Sequence, residues 1–190
     1  MKWLIIVLVI VLTVIVYKTM QKRLPDSGGI AINGPAVDET SIAAALEMEN
    51  AQSTVIAIDN YLGGRFYTDP SQMTSAELNF MYVEEVEREV NNGGFKQFFY
   101  NSSGDHAHEA LNALGIIGAG HTAKLLSLAM ELFPDNRVPT DRDDRVKVLE
   151  RIQGDAEAVW HELDDRFFQY EDDISSLLVD YVNANRDEFH

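Results

Sequence analysis

The segment Glu89-Val90-Asn91-Asn92-Gly93-Gly94-Phe95-Lys96-Gln97-Phe98-Phe99-Tyr100-Asn101-Ser102-Ser103-Gly104 decides how this chain folds. Asparagine and glycine tolerate a positive φ, so Asn92 or Gly93 can end the charged helix before them, and Gly94 then allows a tight turn. The three phenylalanines that follow recur at helical spacing and predict one apolar face. The segment therefore predicts a corner between two helices at the edge of an apolar core.

The polar side chains of the same segment allow a second interpretation. Its four amides could form a ligand site: Asn91, Asn92, Gln97 and Asn101. Nothing else in the sequence converges on them, so the structural corner is the preferred interpretation.

The pattern resembles the signature of a bacterial domain-of-unknown-function family whose best-known member is a small acidic DNA-mimic protein. The residues that match the signature are Glu89, Asn92, Gly93, Gly94, Phe95, Gln97, Phe98, Phe99, Asn101 and Gly104. The resemblance extends from about Ser41 to the C-terminus and implies a helical domain in which this motif, with Asn91, has a structural role. It also implies a protein that occupies the DNA-binding face of a basic partner and does not itself bind nucleic acid.

Helical signals dominate the chain from Asp38 onward, and no convincing strand alternation is present. Thr74 and Glu77 form a capping box that begins a helix through Val90. Asp38 or Thr40 can cap an earlier helix, which Gly63-Gly64 would end after about residue 61. Further helices are predicted at about 103–118, 122–133, 141–153, 155–170 and 173–185. The predicted class is all-α, a multi-helix globular domain with short connections.

The first twenty residues form a separate apolar segment, in which residues 4–16 are aliphatic except for Thr13. Aliphatic residues in such a run favour membrane insertion by roughly 5 kcal/mol in total. The sequence therefore predicts a transmembrane anchor at 1–23 that contacts the lipid bilayer through residues 3–17, a flexible linker at 24–37 and an acidic domain at 38–190. A cleaved signal peptide needs a small-residue cleavage site, which the residues after the apolar run do not offer.

The orientation of this anchor is predicted from its basic flanks. Lys18, Lys22 and Arg23 follow the apolar run, whereas Lys2 precedes it. Because basic residues accumulate on the cytoplasmic side, the pattern predicts a single-pass protein of the bacterial inner membrane with its C-terminal domain in the cytoplasm.

The net charge of the chain is −16, and the part from Pro25 onward carries 11 basic against 31 acidic residues, a net of 11 − 31 = −20. Such a surface repels nucleic acid and attracts basic proteins. Spread over roughly 8,000 Å² of surface, this charge is about fourfold more dilute than that of duplex DNA. Mimicry of DNA therefore requires that the charge be concentrated on one face or across a homodimer.

The acidic residues are densest near the C-terminus, because residues 155–190 contain eleven carboxylates and two arginines, a net of −9. Five of these carboxylates cluster at the junction of the last two predicted helices and are the candidate partner-binding residues: Asp164, Asp165, Glu171, Asp172 and Asp173. The alternative interpretation is a solvated surface that only keeps the protein soluble.

Candidate catalytic chemistry is sparse. The chain has no cysteine, no glycine-rich phosphate loop after a strand and no Gly-x-Ser-x-Gly motif. The only metal-like cluster is His106, His108, Glu109 and His121, and residues two apart on a helix point to different faces. The sequence thus predicts no enzyme and no cofactor. The alternatives are a small metal-binding or enzymatic helical domain using His106 and His121, or an adaptor for another membrane protein.

Overall fold

Seven α-helices and four short 3₁₀ helices make up residues 41–190, the part of the chain that the structure, a computed structural model, describes. The α-helices are α1 Ile42–Ala45, α2 Ala51–Thr68, α3 Ser75–Tyr100, α4 Ala107–Ile116, α5 Gly120–Met130, α6 Arg142–Phe167 and α7 Ile174–Ala184. The 3₁₀ helices are Pro70–Gln72, Ser102–His106, Pro134–Asn136 and Arg186–Glu188. These residues contain no strand, so the all-α prediction is confirmed for them.

Helix α3 is central and packs against α2, α4 and α6. Its capping box is present as predicted, because the Glu77 N–H donates to Thr74 Oγ1 at 3.1 Å and the Thr74 N–H donates to Glu77 Oε2 at 3.0 Å. The buried Glu77 carboxylate also pairs with Arg65 at 2.8 Å and accepts the N–H of His190 at 2.9 Å. One carboxylate therefore begins α3 and ties α2 and the C-terminus to it.

The apolar face predicted for the second half of α3 is buried in an aromatic core. The ring centroids of Phe99 lie 4.9 Å from Phe133 and 5.8 Å from Trp160. The indole Nε1 of Trp160 donates to the carbonyl oxygen of Ala129 at 3.1 Å, so its polar atom is paired inside the core. Large aromatic side chains dominate the energetics of a core, so this cluster fixes α6 against α3 and α5.

The helix predicted from about residue 40 to residue 61 is interrupted after Ala45 and ends later than expected. Helix α1 ends at Ala45, and α2 begins after Asn50, whose side chain accepts the Ser53 N–H at 2.8 Å. Helix α2 then continues through Gly63-Gly64 to Thr68. Each interior glycine costs about 1 kcal/mol relative to alanine. The apolar stripe of α2 buries its side chains against the core, and this tertiary packing outweighs that local cost.

The two helices predicted at 141–153 and 155–170 are a single helix, α6. Its backbone passes through Gly154 without a break, although glycine and the flanking Asp155 suggested one. The buried residues Leu149, Ala156 and Trp160 continue one helical stripe across this position. Helix α6 therefore packs along the core as one continuous element of 26 residues.

No helix within residues 41–190 combines the length and the apolar composition needed to cross a membrane. The long helices α2, α3 and α6 have apolar residues on one face and charged residues on the other, which is the pattern of helices that pack on a protein core. This finding contradicts the predicted inner-membrane localisation, which we withdraw with its cytoplasmic orientation. The predicted anchor, its basic residues Lys18, Lys22 and Arg23, and the predicted linker lie outside the described residues.

Candidate partner-binding surface

Helix α3 changes direction at its Gly-Gly pair. Gly93 has φ −165° and ψ 23°, and Gly94 has φ 74° and ψ −179°. The positive φ therefore lies at Gly94 and not at the predicted Asn92 or Gly93. The helix resumes at once and continues to Tyr100, so the motif forms a kink within one long helix.

A carboxylate of α6 fills the space beside this kink. A Cβ atom on Gly94 would lie 2.2 Å from Oδ2 of Asp164, so no larger residue fits there. Oδ1 of the same side chain accepts the Phe95 N–H at 2.8 Å. Burial raises the pKa of the Asp164 carboxyl, and the hydrogen bond from Phe95 partly opposes this rise. Asp164, a candidate partner-binding residue, thus also closes the kink.

A second carboxylate spans the kink on α3 itself. Oε2 of Glu89 accepts hydrogen bonds from Nε2 of Gln97 and from Nδ2 of Asn101, both at 2.8 Å. Oδ1 of Asn91 accepts the hydroxyl of Tyr170 at 2.7 Å, whereas Asn92 is exposed. Three of the four amides considered for a ligand site are therefore bonded to side chains of the same chain.

Arg145, which sequence analysis missed, secures the end of α3. Its buried guanidinium donates to the carbonyl oxygens of Phe99 at 2.6 Å and Asn101 at 2.8 Å and pairs with Asp105 at 2.5 Å. A Cβ atom on Gly104 would lie 2.6 Å from its Nε, which explains the glycine at the end of the motif. The sequence does contain one signal of this role, because Arg145 falls on the apolar stripe of α6, where a charged side chain must be paired.

The candidate carboxylates of the α6–α7 turn, residues Phe168–Asp173, are held by the fold. Oδ2 of Asp172 accepts the Thr122 N–H at 2.7 Å, and Glu171 lies 3.0 Å from Nδ1 of His121. Asp173 caps α7 by accepting the Ser176 N–H at 3.1 Å, and this hydrogen bonding lowers the pKa of its carboxyl. The fifth candidate, Asp165, is exposed. The structure therefore fixes most of these charges in position.

A second group of carboxylates lies between α2 and α3. Arg88 pairs with Asp59 at 2.6 Å and with Glu85 at 2.5 Å, and the Tyr67 hydroxyl donates to Glu85. Burial, followed by the neighbouring Glu87, raises the pKa of the Glu84 carboxyl to about 8. Oε1 of Glu84 is buried without a hydrogen-bond partner. These acidic residues are thus part of the packed structure.

The histidines do not converge on a metal site. The His106 ring packs on Tyr82 with centroids 5.0 Å apart, and Nε2 of His108 lies 3.3 Å from the carbonyl oxygen of Val138. His121 instead contacts Glu171 on the α6–α7 turn. Within residues 41–190, no group of three or more His, Cys, Asp or Glu side chains is placed to hold a metal ion. The metal-binding alternative therefore has no support in the described residues.

A groove of about 490 Å³ opens between α3 and α6 beside the kink. Small residues line part of it, including Gly93, Gly154 and Ala158. Of its charged residues, Lys96 and Glu157 pair with each other at 3.0 Å, and Asp164 accepts the Phe95 N–H. The groove therefore offers few unpaired polar groups that would orient a small molecule.

Comparison with known proteins agrees with the resemblance at the level of the family. A family model described as DMP19-like protein matches residues 71–185, which are 115 of the 190 residues and extend from the start of α3 to the end of α7. Neither the curated proteins nor the solved structures contain a match to this chain. The matched region includes the kink, Arg145 and the α6–α7 turn. The chain belongs to the DMP19-like protein family.

Proposed function

We propose that this protein is a non-catalytic interaction module that binds a basic, nucleic-acid-binding protein through an acidic surface, in the manner of a DNA mimic. Membership in the DMP19-like family supports this proposal, together with the DNA-mimic role that the sequence resemblance implies. The observation that carries it is the net charge of −9 in residues 155–190, which form the second half of α6, the α6–α7 turn and α7.

The N-terminal and C-terminal parts of the described domain differ in how many of their acidic residues are paired with basic groups. Residues 41–190 carry 11 basic and 28 acidic residues, a net of 11 − 28 = −17. Arginines 65, 88 and 145 pair with carboxylates of α2, α3 and the residues before α4. Within residues 155–190, the ion pairs to basic groups are Lys96 with Glu157 and His121 with Glu171. The C-terminal region therefore keeps most of its negative charge for a partner.

The carboxylates of this region are also held in place before any partner arrives. Asp172 accepts a backbone N–H of α5 and Asp173 caps α7, so neither side chain is free to rotate. The hydrogen bonds from Ser176 lower the pKa of the Asp173 carboxyl, so this group keeps its charge. A surface with fixed charges loses less conformational entropy on binding, and this favours affinity for a complementary basic surface.

The test is a crosslinking pull-down with the full chain, followed by competition with duplex DNA. We expect the captured partner to be a basic protein that duplex DNA displaces, because both would occupy one surface. Its affinity should fall as salt rises, since exposed charge pairs are screened within about 10 Å at 0.1 M salt. A partner that binds this protein and DNA at the same time would contradict the proposal.

Neutral variants locate the surface. Asp155→Asn, Glu162→Gln and Asp165→Asn change three exposed carboxylates of α6. We expect this triple variant to bind the partner more slowly, because steering charges act mainly on the association rate. The matched control removes the same charge elsewhere on the exposed surface, through Glu47→Gln, Glu49→Gln and Glu109→Gln. Equal losses in both variants would show that only the total charge matters.

The lipid bilayer and a homodimer were also considered from the sequence. Neither the family match nor the structure of the described residues supports them, and the proposal includes neither.

A further inference from the structure

Four aromatic side chains in residues 41–190 are about half exposed or more: Tyr67, Tyr100, Phe168 and Tyr170. Two of these side chains already contact an arginine of the same chain. The Tyr67 hydroxyl accepts a hydrogen bond from Arg88 at 2.5 Å, and the Arg142 guanidinium lies 5.1 Å from the Tyr100 ring centroid. Among the described residues, no arginine or lysine lies over the ring of Phe168 or Tyr170.

These two rings lie on the α6–α7 turn and are 47% and 48% exposed. Tyr170 has φ 49°, a conformation uncommon for a residue with a bulky side chain. Its hydroxyl donates to Asn91 at 2.7 Å, and its ring lies 5.8 Å from that of Phe167. The Tyr170 ring is therefore held at the surface by contacts on two sides.

Carboxylates are close to the same two rings in the sequence. Asp165 precedes Phe168 by three residues, so it lies one helical turn before it on the same side of α6, whereas Asp164 accepts the Phe95 N–H at the kink. Glu171 follows Tyr170 directly. A cation that approached either ring would meet an exposed aromatic side chain in a region of net negative charge. Arginine fits this combination better than lysine, because its planar guanidinium stacks on aromatic rings while pairing with carboxylates.

We propose that the α6–α7 turn anchors an arginine-bearing surface of the basic partner, with Phe168 and Tyr170 supplying the aromatic faces and Asp165 and Glu171 the charge. The inference rests on the proposed function and adds to it the contact point and the preference for arginine. In this proposal an arginine of the partner covers these rings, as Arg142 of the same chain covers the ring of Tyr100.

The experiment measures binding of a fluorescent octa-arginine peptide, and of an octa-lysine peptide, to the full chain at low salt. The double variant Phe168→Leu with Tyr170→Leu keeps apolar side chains but removes both rings. We expect it to weaken octa-arginine binding about three- to tenfold and octa-lysine binding less. Tyr100→Leu is the matched control, because Arg142 already covers that ring, and it should leave both affinities unchanged.

Unchanged octa-arginine affinity in the double variant would overturn the inference, as would the absence of peptide binding by the wild type. Phe168→Leu alone is the second variant, because Phe168 has an ordinary helical backbone with φ −67° and ψ −5°, whereas Tyr170 has a positive φ. Melting curves establish that each variant is folded. Affinity that rises when Lys18, Lys22 and Arg23 are changed to glutamine would identify the chain's own basic segment as the occupant and would also overturn it.

The tests distinguish a failure of the anchoring role of the turn from a failure of the proposed function. If the neutral α6 variant loses partner binding while the aromatic variant does not, the anchoring role is wrong and the acidic surface still stands. If the partner binds duplex DNA at the same time as this protein, the mimic role fails whatever the aromatic variants do.

Discussion

The carboxylates between α2 and α3 and those of the α6–α7 turn look alike in the sequence but have opposite environments. Between the helices, burial raises the pKa of Glu84 to about 8. At the turn, the hydrogen bonds from Ser176 lower the pKa of Asp173. Desolvation disfavours a carboxylate, whereas hydrogen bonds from N–H and O–H groups favour it.

This difference shows that the number of acidic residues overstates the charge that a partner meets. With a pKa of about 8, Glu84 is mostly neutral at pH 7 and adds little to the surface potential. Glu85 and Asp59 share Arg88, which offsets one of their two negative charges. At the turn, the hydrogen bonds that lower the pKa of Asp173 keep its carboxylate charged at the same pH. Mutations in the two regions therefore distinguish carboxylates that affect the stability of the fold from exposed carboxylates that a partner can bind.

The largest effect is expected for Glu84→Gln, which removes the most strongly perturbed carboxyl of the α2–α3 group. The folded protein holds the Glu84 proton up to about pH 8, whereas the unfolded chain releases it near the ordinary glutamate pKa of 4.5. Stability should therefore fall as the pH rises from 4.5 to 8, by up to about 5 kcal/mol. The variant should not lose stability in this way. The difference between its free energy of unfolding and that of the wild type should therefore increase from pH 5 to pH 9.

Urea unfolding at pH 5, 7 and 9 measures this difference. The pKa of Glu84 is set by Glu87, Asp59, Glu85 and Arg88 as well as by burial, so these neighbours must remain unchanged. Glu162→Gln, at an exposed position of α6, is the control and should parallel the wild type. If the curves of Glu84→Gln and the wild type are also parallel, Glu84 is ionised in the folded protein and the two regions do not differ as described.

The next largest effect concerns the kink, where Asp164 belongs to the structural carboxylates. Gly94→Ala places a Cβ atom against Asp164 and puts a side chain in a backbone region that essentially only glycine occupies. We expect a loss of about 2–4 kcal/mol, because the strain adds to the weakened hydrogen bond from Phe95 to Asp164. The melting temperature of the variant measures the loss.

Gly154→Ala is the matched control for this substitution. Nothing lies within 4 Å of a Cβ atom at Gly154, which has an ordinary helical backbone within α6. Alanine there should stabilise the protein by about 0.5–1 kcal/mol. If Gly94→Ala melts at the same temperature as Gly154→Ala, the close contact with Asp164 is not what requires glycine in the motif.

These two glycines also show what could be predicted from the sequence. Local rules treat Gly94 and Gly154 alike as helix breaks. Only the first breaks the helix geometry, because Asp164, seventy residues away, accepts the N–H that the kink frees. Local signals were sufficient for the capping box of Thr74 and Glu77 and for the apolar face of the three motif phenylalanines. They failed where a distant side chain decided the outcome.

The candidate surface shows the same limit. The sequence placed the densest acidic region correctly on the last two helices, because charge density is a local property. It could not show that Asp172 completes the hydrogen bonding at the start of α5, since Thr122 lies fifty residues earlier. The exposed rings of Phe168 and Tyr170 were also unpredicted, because exposure depends on which elements pack around the turn.

The smallest stability effects are expected for the matched variants Asp172→Ala, on the turn, and Asp165→Ala, on α6. Together they distinguish the effect of losing a negative charge from the effect of losing a structural hydrogen bond. Each substitution removes one negative charge. Asp172 satisfies an N–H at the start of α5, where the N-cap residue Ala119 offers no side-chain hydrogen bond, so its loss should cost about 1–2 kcal/mol. Asp165 is exposed, so its loss should change stability by less than about 0.5 kcal/mol.

Two quantities are measured for both variants at 50 and 300 mM salt: the melting temperature and the rate of association with the partner. If the turn acts through charge, both variants should slow association at low salt and differ little at high salt, because screening removes the long-range part of the attraction. Only Asp172→Ala should melt earlier. Equal melting temperatures would show that the bond to Thr122 contributes little to stability. Slower association for Asp172→Ala alone would mean that the order of the turn, and not its charge, governs recognition.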